Sequence, residues 1–115
     1  MYSFLDPTRA HEFATDKAQL LHLAETFESS LANDLQALQD ALGHQDPKPV
    51  LRLLHSLKGY VTFLSKDELS AQVIQLELVS RQQELEQVRE MVLKVMPSLQ
   101  QLRSEVTRWK SAELS

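Results

Sequence analysis

Hydrophobic residues recur at intervals of three and four over two long segments of the chain, which is the spacing of one buried helix face. The first repeat lasts about six turns and comprises Leu20, Ala24, Phe27, Leu31, Leu35, Leu38 and Leu42. The second comprises Leu85, Val88, Val92, Val95, Leu99, Leu102, Val106 and Trp109. No segment sustains the alternation of apolar and polar residues that indicates a strand. The pattern therefore predicts two long amphipathic helices.

Capping residues mark the start of the chain's first two helices. Asp6, followed by a proline, predicts a short helix that ends near Phe13. Asp16 with Gln19 is a capping-box pattern that opens the first long helix. Gly43 follows the last apolar position of that helix, in the usual C-terminal place.

The remaining boundaries predict two medium helices before the last one. Asp46 is placed to cap a third helix, which has two prolines in its first turn and runs to about Leu64. Ser65 and Glu68 form a second capping-box pattern, for a fourth helix over about 66–80. The next turn lies near residues 80–84, although no glycine marks it.

Two long and two medium helices joined by short loops predict an all-α fold, an antiparallel up-down four-helix bundle with a short extra N-terminal helix. A long coiled coil with the same apolar repeat is the alternative. The glycine and proline breaks over residues 43–49 favour the bundle.

Length and composition indicate one helical domain over residues 1–115. A chain of 115 residues is long enough for one modest core. It contains no cysteine, which excludes a disulfide framework and a thiolate metal site. The histidines outside the third helix have no ligand partners at useful spacing, and no glycine-rich nucleotide loop is present. We therefore expect no metal, no cofactor and no autonomous enzyme.

Charge and hydropathy limit the partners. The chain has 12 Lys and Arg against 16 Asp and Glu, a net charge of −4, which makes it a poor candidate for binding nucleic acid. Its start, MYSFLDPT, lacks the basic and long apolar regions of a signal peptide. No apolar run approaches the roughly 18 residues that span a bilayer. We expect a cytoplasmic monomer that binds neither nucleic acid nor membrane.

The third helix carries the unusual chemistry of the chain. At about 100° per residue, its predicted buried face comprises Val50, Leu53, Leu57, Val61 and Leu64. His55 lies almost opposite that face, with Lys58 and Gly59 on either side of it. A glycine inside a helix costs about 1 kcal/mol relative to alanine, and close approach of another molecule is a ready explanation for it.

An exposed imidazole beside a lysine can act as a nucleophile. Neutral histidine can attack phosphorus and carry a phosphoryl group. Lys58 would offset the charge of the phosphoryl oxygens, and Gly59 would leave room for the incoming partner. A solvated surface histidine is the alternative interpretation of His55.

At these residues the sequence resembles the histidine-containing phosphotransfer (HPt) domains of multistep phosphorelays. The family pattern His-x-Leu-Lys-Gly is complete as His55-Ser56-Leu57-Lys58-Gly59, and a Leu-Glu pair about twenty residues later matches as Leu76-Glu77. The order of short, long, histidine-bearing and two further helices also agrees, so the resemblance covers nearly the whole chain.

The resemblance implies roles for particular residues and partners. His55 would be phosphorylated, Lys58 would assist the phosphoryl group, and Glu77 would orient the imidazole through Nδ1, although a solvated glutamate is an equal alternative. The implied partners are response-regulator receiver domains and a sensor or hybrid histidine kinase. Two positions depart from the family pattern: Ser65 replaces a common glycine, and Tyr60 replaces a small residue and is expected to lean into the bundle.

The expected docking surface is the outer face of the third helix with neighbouring parts of the first two. Besides Gly59 and Thr62, it would include Leu51, an apolar residue with no obvious core to join, and Arg52 at its edge. Two alternatives remain open at this point. The chain could be a helical bundle that binds receivers without transferring phosphate, or an unrelated helical adaptor in which the motif is a coincidence.

Overall fold

The computed structural model describes residues 2–114, and these residues contain five helices. They are α1 (Pro7–Ala10), α2 (Lys17–Leu42), α3 (Lys48–Leu64), α4 (Asp67–Ser80) and α5 (Leu85–Glu113). The described residues contain no β-strand, only an isolated antiparallel bridge between Leu5 and Ser65. The predicted domain also includes residues 1 and 115, which lie outside the described residues.

The four longer helices pack in a closed ring. α2 contacts α3, α3 contacts α4, α4 contacts α5, and α5 returns to α2, while α1 packs on α3. The short connections force consecutive helices to run antiparallel. The predicted four-helix bundle with a short N-terminal helix is therefore confirmed, and the extended coiled coil is excluded.

The core is built from the apolar stripes that the sequence pattern predicts. All seven predicted positions of α2 are buried. In α3 one prediction was wrong, because Leu54 is 1% exposed whereas Leu53 is only partly buried at the edge of the core. Two adjacent leucines cannot both point straight into the bundle, and α3 is rotated so that its second leucine does so.

The predicted ends of the helices are confirmed in part. Asp16 Oδ1 accepts a hydrogen bond from the Gln19 amide at 2.8 Å, as the capping box requires. The helix α1 ends at Ala10, three residues before the predicted end, and continues as a turn. Asp46 Oδ1 accepts from the Lys48 amide at 3.0 Å, so α3 begins slightly later than predicted.

The predicted capping box at Ser65 was wrong. Ser65 is fully buried, its backbone forms the bridge to Leu5, and its hydroxyl lies 2.6 Å from the Ser70 hydroxyl. These contacts engage the groups that would have capped α4, which begins at Asp67 without a side-chain cap. Ser65, which stands where the family pattern commonly has glycine, therefore connects α3, α4 and the N-terminal segment.

A buried carboxylate fixes the N-terminal segment to α5. Glu105 is completely buried and accepts hydrogen bonds from three consecutive backbone amides, those of Ser3, Phe4 and Leu5, at 2.8–3.0 Å. Burial alone would raise the pKa of Glu105, but these bonds and one from Gln101 hold it below its ordinary value. The segment before α1 is thus part of the folded bundle.

Candidate functional site

His55 projects from the outer face of α3, opposite the residues that α3 buries. Its side chain is 70% exposed, whereas Leu54 and Leu57 beside it are buried. The 3.6-residue period of the helix produces this contrast. The imidazole is therefore accessible to a partner and does not contribute to the core.

Glu77 contacts the imidazole from the neighbouring helix. The antiparallel packing of α3 and α4 brings Glu77 Oε1 to 3.2 Å from His55 Nδ1. The glutamate side chain is only 4% exposed. The interpretation of Glu77 as a solvated surface residue was therefore wrong, since a buried carboxylate needs partners and has them here.

The ionised state of Glu77 determines which ring nitrogen of His55 carries the donated proton. Burial would raise the pKa of Glu77, but hydrogen bonds from Arg81 and His55 and the positive charges of Arg81 and Lys58 hold it below its ordinary value. An ionised carboxylate only accepts hydrogen bonds, so Nδ1 carries a proton and donates. In the neutral form of such an imidazole, Nε2 is the nitrogen with the free lone pair, and it points away from Nδ1.

Lys58 also faces this carboxylate. Its Nζ atom lies 3.8 Å from Glu77 Oε2, and its side chain is 40% exposed. The structure thus brings together the three residues that the sequence singled out for chemistry, His55, Lys58 and Glu77. They come from two helices, and a single buried carboxylate joins them.

Gly59 leaves an open gap one turn beyond His55. No atom outside the local helix lies within 4 Å of the position that a Cβ atom would take. The gap is therefore not required by packing inside this chain. That the gap admits another molecule stays a prediction.

The other predicted docking residues surround the same face of α3. Arg52 is exposed, while Leu51 and Thr62 are partly buried. Leu51 does not belong to the core cluster, as expected. The Thr62 hydroxyl donates to the Lys58 carbonyl oxygen at 3.2 Å, so it is engaged within the helix.

An exposed aromatic pair borders this face and was not found from the sequence. Phe63 lies one turn beyond Gly59 on α3, and its ring centroid is 4.8 Å from that of Phe13. The two residues are 44% and 51% exposed. Arg9 anchors α1 nearby by donating to the Thr62 carbonyl oxygen at 3.3 Å and pairing with Asp67. The spacing of Phe63, eight residues after His55, was the available signal.

The other side of α3 is joined to α2 close to the site. The Tyr60 hydroxyl donates to Asp34 Oδ2 at 2.8 Å, and the Ser56 hydroxyl reaches the same oxygen at 3.2 Å. The Tyr60 ring packs edge-on against Phe27. Burial and the Asp34 carboxylate raise the pKa of Tyr60 well above its ordinary value, so it remains a donor. Tyr60 leans into the bundle, as predicted, and its bulk is accommodated away from His55.

Metal-binding clusters and membrane-spanning helices are absent from the described residues. Residues 2–114 contain no group of three or more His, Cys, Asp or Glu side chains that could hold a metal ion. No helix in the same range is long and apolar enough to cross a membrane.

This arrangement defines a helical bundle with one exposed, carboxylate-oriented histidine on its third helix. Comparison with protein families gives the same class: the Hpt domain model matches residues 22–112. The chain therefore belongs to the Hpt domain family, whose members carry out histidine phosphotransfer in two-component signalling systems. No curated protein and no solved structure matched the chain significantly.

Proposed function

We propose that His55 accepts a phosphoryl group from the aspartate of one response-regulator receiver domain and passes it to the aspartate of another. The observation that carries this proposal is the bond between the exposed His55 imidazole and the buried Glu77 carboxylate. That bond leaves Nε2 as the exposed nucleophile. A surface histidine without function would need no buried partner.

The transfer step follows from this geometry. The Nε2 lone pair attacks phosphorus, the N–P bond forms, and the P–O bond to aspartate breaks, so that aspartate leaves as a carboxylate with the electron pair. Nδ1 keeps its proton, and the ring gains positive charge. The anionic Glu77 stabilises that charge, and Lys58 offsets charge on the phosphoryl oxygens. The reverse step passes the group to a second receiver.

The docking surface of this proposal lies along one ridge of α3. His55, Gly59 and Phe63 follow one another at four-residue intervals, so they lie on the same side of the helix. The gap at Gly59 separates the nucleophile from the Phe13–Phe63 pair. A receiver can thus bring its aspartate to His55 while apolar side chains cover the two rings. Leu51, Arg52 and Thr62 form the rest of the contact.

The proposed partners are receiver domains and a sensor or hybrid histidine kinase, and the proposed setting is the cytoplasm. The chain would act as a monomer, because its apolar stripes pack into one core within a single chain. Light scattering of the purified protein tests the monomer: a stable dimer at micromolar concentration would contradict it.

The experiment that tests the function is incubation with phosphorylated receiver domains, one at a time. The radiolabel should move from the receiver to this chain, and mass spectrometry should locate it on His55. The alternative is a bundle that binds receivers without phosphotransfer. It predicts complex formation with no label on the chain, and that result would overturn the proposal.

A further inference from the structure

Arg81 is a second permanent cation on Glu77, outside the set that the sequence singled out. It terminates α4 one turn after the glutamate. Its guanidinium donates to Glu77 Oε1, the same oxygen that accepts from His55 Nδ1. The Arg81 side chain is 56% exposed, whereas the carboxylate that it contacts is 4% exposed.

The two oxygens of Glu77 have different partners. His55 and Arg81 share Oε1, while the Lys58 ammonium approaches Oε2 at 3.8 Å. Without Arg81, Lys58 would be the one permanent cation on this carboxylate among residues 2–114. The attraction between the Lys58 ammonium and Glu77 Oε2 would then be unopposed and would rotate the carboxylate away from the imidazole. The Arg81 bond opposes that rotation.

Charge balance supports the same role. One carboxylate faces two permanent cations, so the group carries a net positive charge when the imidazole is neutral. This surplus helps to keep the buried carboxylate ionised. Arg81 therefore acts on His55 through Glu77.

We propose that Arg81 is a positioning residue for phosphotransfer: it holds Glu77 Oε1 against Nδ1 of His55, so that the proton stays on Nδ1 and Nε2 remains free to react. The inference rests on the proposed function of His55. Arg81 does not contact the phosphoryl group in this proposal. Lys58 remains the residue that offsets charge on the phosphoryl oxygens.

The first test measures the position of the proton and needs no phosphoryl donor. Nitrogen-15 NMR of the imidazole in the unphosphorylated protein distinguishes the Nδ1–H form from the Nε2–H form. Arg81→Gln should lower the share of the Nδ1–H form, and Arg81→Lys should restore most of it. Arg103→Gln, a charge-matched change at an exposed position of α5, should leave the share unchanged. An unchanged spectrum in Arg81→Gln would overturn the proposal.

The second test measures transfer with phosphoramidate, a small donor that requires no docking surface. The His55 Nε2 lone pair attacks the phosphorus of phosphoramidate, whose nitrogen is protonated, and ammonia leaves with the electron pair of the broken P–N bond. We expect Arg81→Gln to accept phosphate on the order of tenfold more slowly, and Arg81→Lys to stay close to the unaltered protein. A slower rate with an unchanged proton position would overturn the positioning role, because Arg81 would then act on the phosphoryl group itself. A changed proton position with an unchanged rate would overturn it as well.

The two tests separate this inference from the proposed function. If the unaltered protein accepts no phosphate, the function of His55 fails, and the NMR comparison still decides whether Arg81 orients the imidazole. Because Arg81 is exposed, its variants should fold normally, which circular dichroism checks.

Discussion

Gly59 lies one helical turn beyond His55, and the space above its Cα atom is open. Neither packing nor backbone conformation within the chain requires a glycine there, because α3 is helical throughout and no described residue has a positive φ. The residue weakens the helix in which it lies. Its benefit is therefore expected in a complex and not in the free protein.

Replacing Gly59 should separate stability from binding. Gly59→Gln should raise the free energy of unfolding by about 0.5 kcal/mol, because glutamine favours a helix more than glycine does. It should also weaken receiver binding, because the longer side chain fills the gap. Chemical denaturation and titration with a receiver domain measure the two effects.

The matched control is Gly59→Ala. Alanine should stabilise the helix by about 1 kcal/mol while extending far less into the gap, so its receiver affinity should fall less than that of Gly59→Gln. Normal receiver binding by the Gly59→Gln protein would show that the glycine does not serve to admit a partner.

Lys58 should act on the chemical step. Lys58→Ala should slow phosphoryl transfer on the order of tenfold, because it removes positive charge from the transferring group. Receiver affinity should change little. Lys94→Ala, at an exposed position of α5, is the control and should transfer at the normal rate. If Lys58→Ala loses affinity while the transfer step stays the same, the lysine is a docking residue instead.

Glu105 should make stability depend on pH. Its pKa is lowered in the folded protein, so between the folded and the unfolded pKa the unfolded chain binds more protons. The contribution of Glu105 is therefore complete above its ordinary pKa of about 4.3 and is lost as the pH falls through the folded value. Denaturation curves between neutral and acidic pH should show this loss.

Glu105→Gln isolates that contribution. At neutral pH the variant should be less stable by about 1–3 kcal/mol, because an amide cannot accept all the bonds that the buried carboxylate accepts. The difference should shrink in acid, where the glutamate is itself protonated. A constant difference across the pH range would show that charge plays no part in holding the N-terminal segment.

The sequence predicted the bundle well because its apolar stripes follow the helical period over many turns. Single boundaries were less predictable wherever tertiary contacts engage a capping group. Serine is a favoured N-cap residue, yet the Ser65 hydroxyl forms a hydrogen bond with the Ser70 hydroxyl, and the Ser65 backbone bridges to Leu5. No local pattern contains a partner sixty residues away.

The part of the site that lies on a single helix was predictable from the sequence. The helical period places His55, Lys58 and Gly59 together on the outer face of α3. The burial of Glu77 depends on how α4 packs against α3. From the sequence alone, a solvated glutamate was an equal alternative interpretation. Arg81 stands four residues after Glu77, and nothing in the sequence showed that it donates to the same carboxylate oxygen that accepts from His55.

The most direct test of the account is phosphoryl acceptance by His55→Gln beside His44→Gln, which alters another exposed histidine. Each purified variant is incubated with the same radiolabelled phospho-receiver, and its unfolding free energy is measured in parallel. We predict that His55→Gln takes up no label and that its stability changes by no more than about 0.5 kcal/mol, while His44→Gln takes up label at the normal rate. Uptake by His55→Gln at the rate of the unaltered protein would contradict the account.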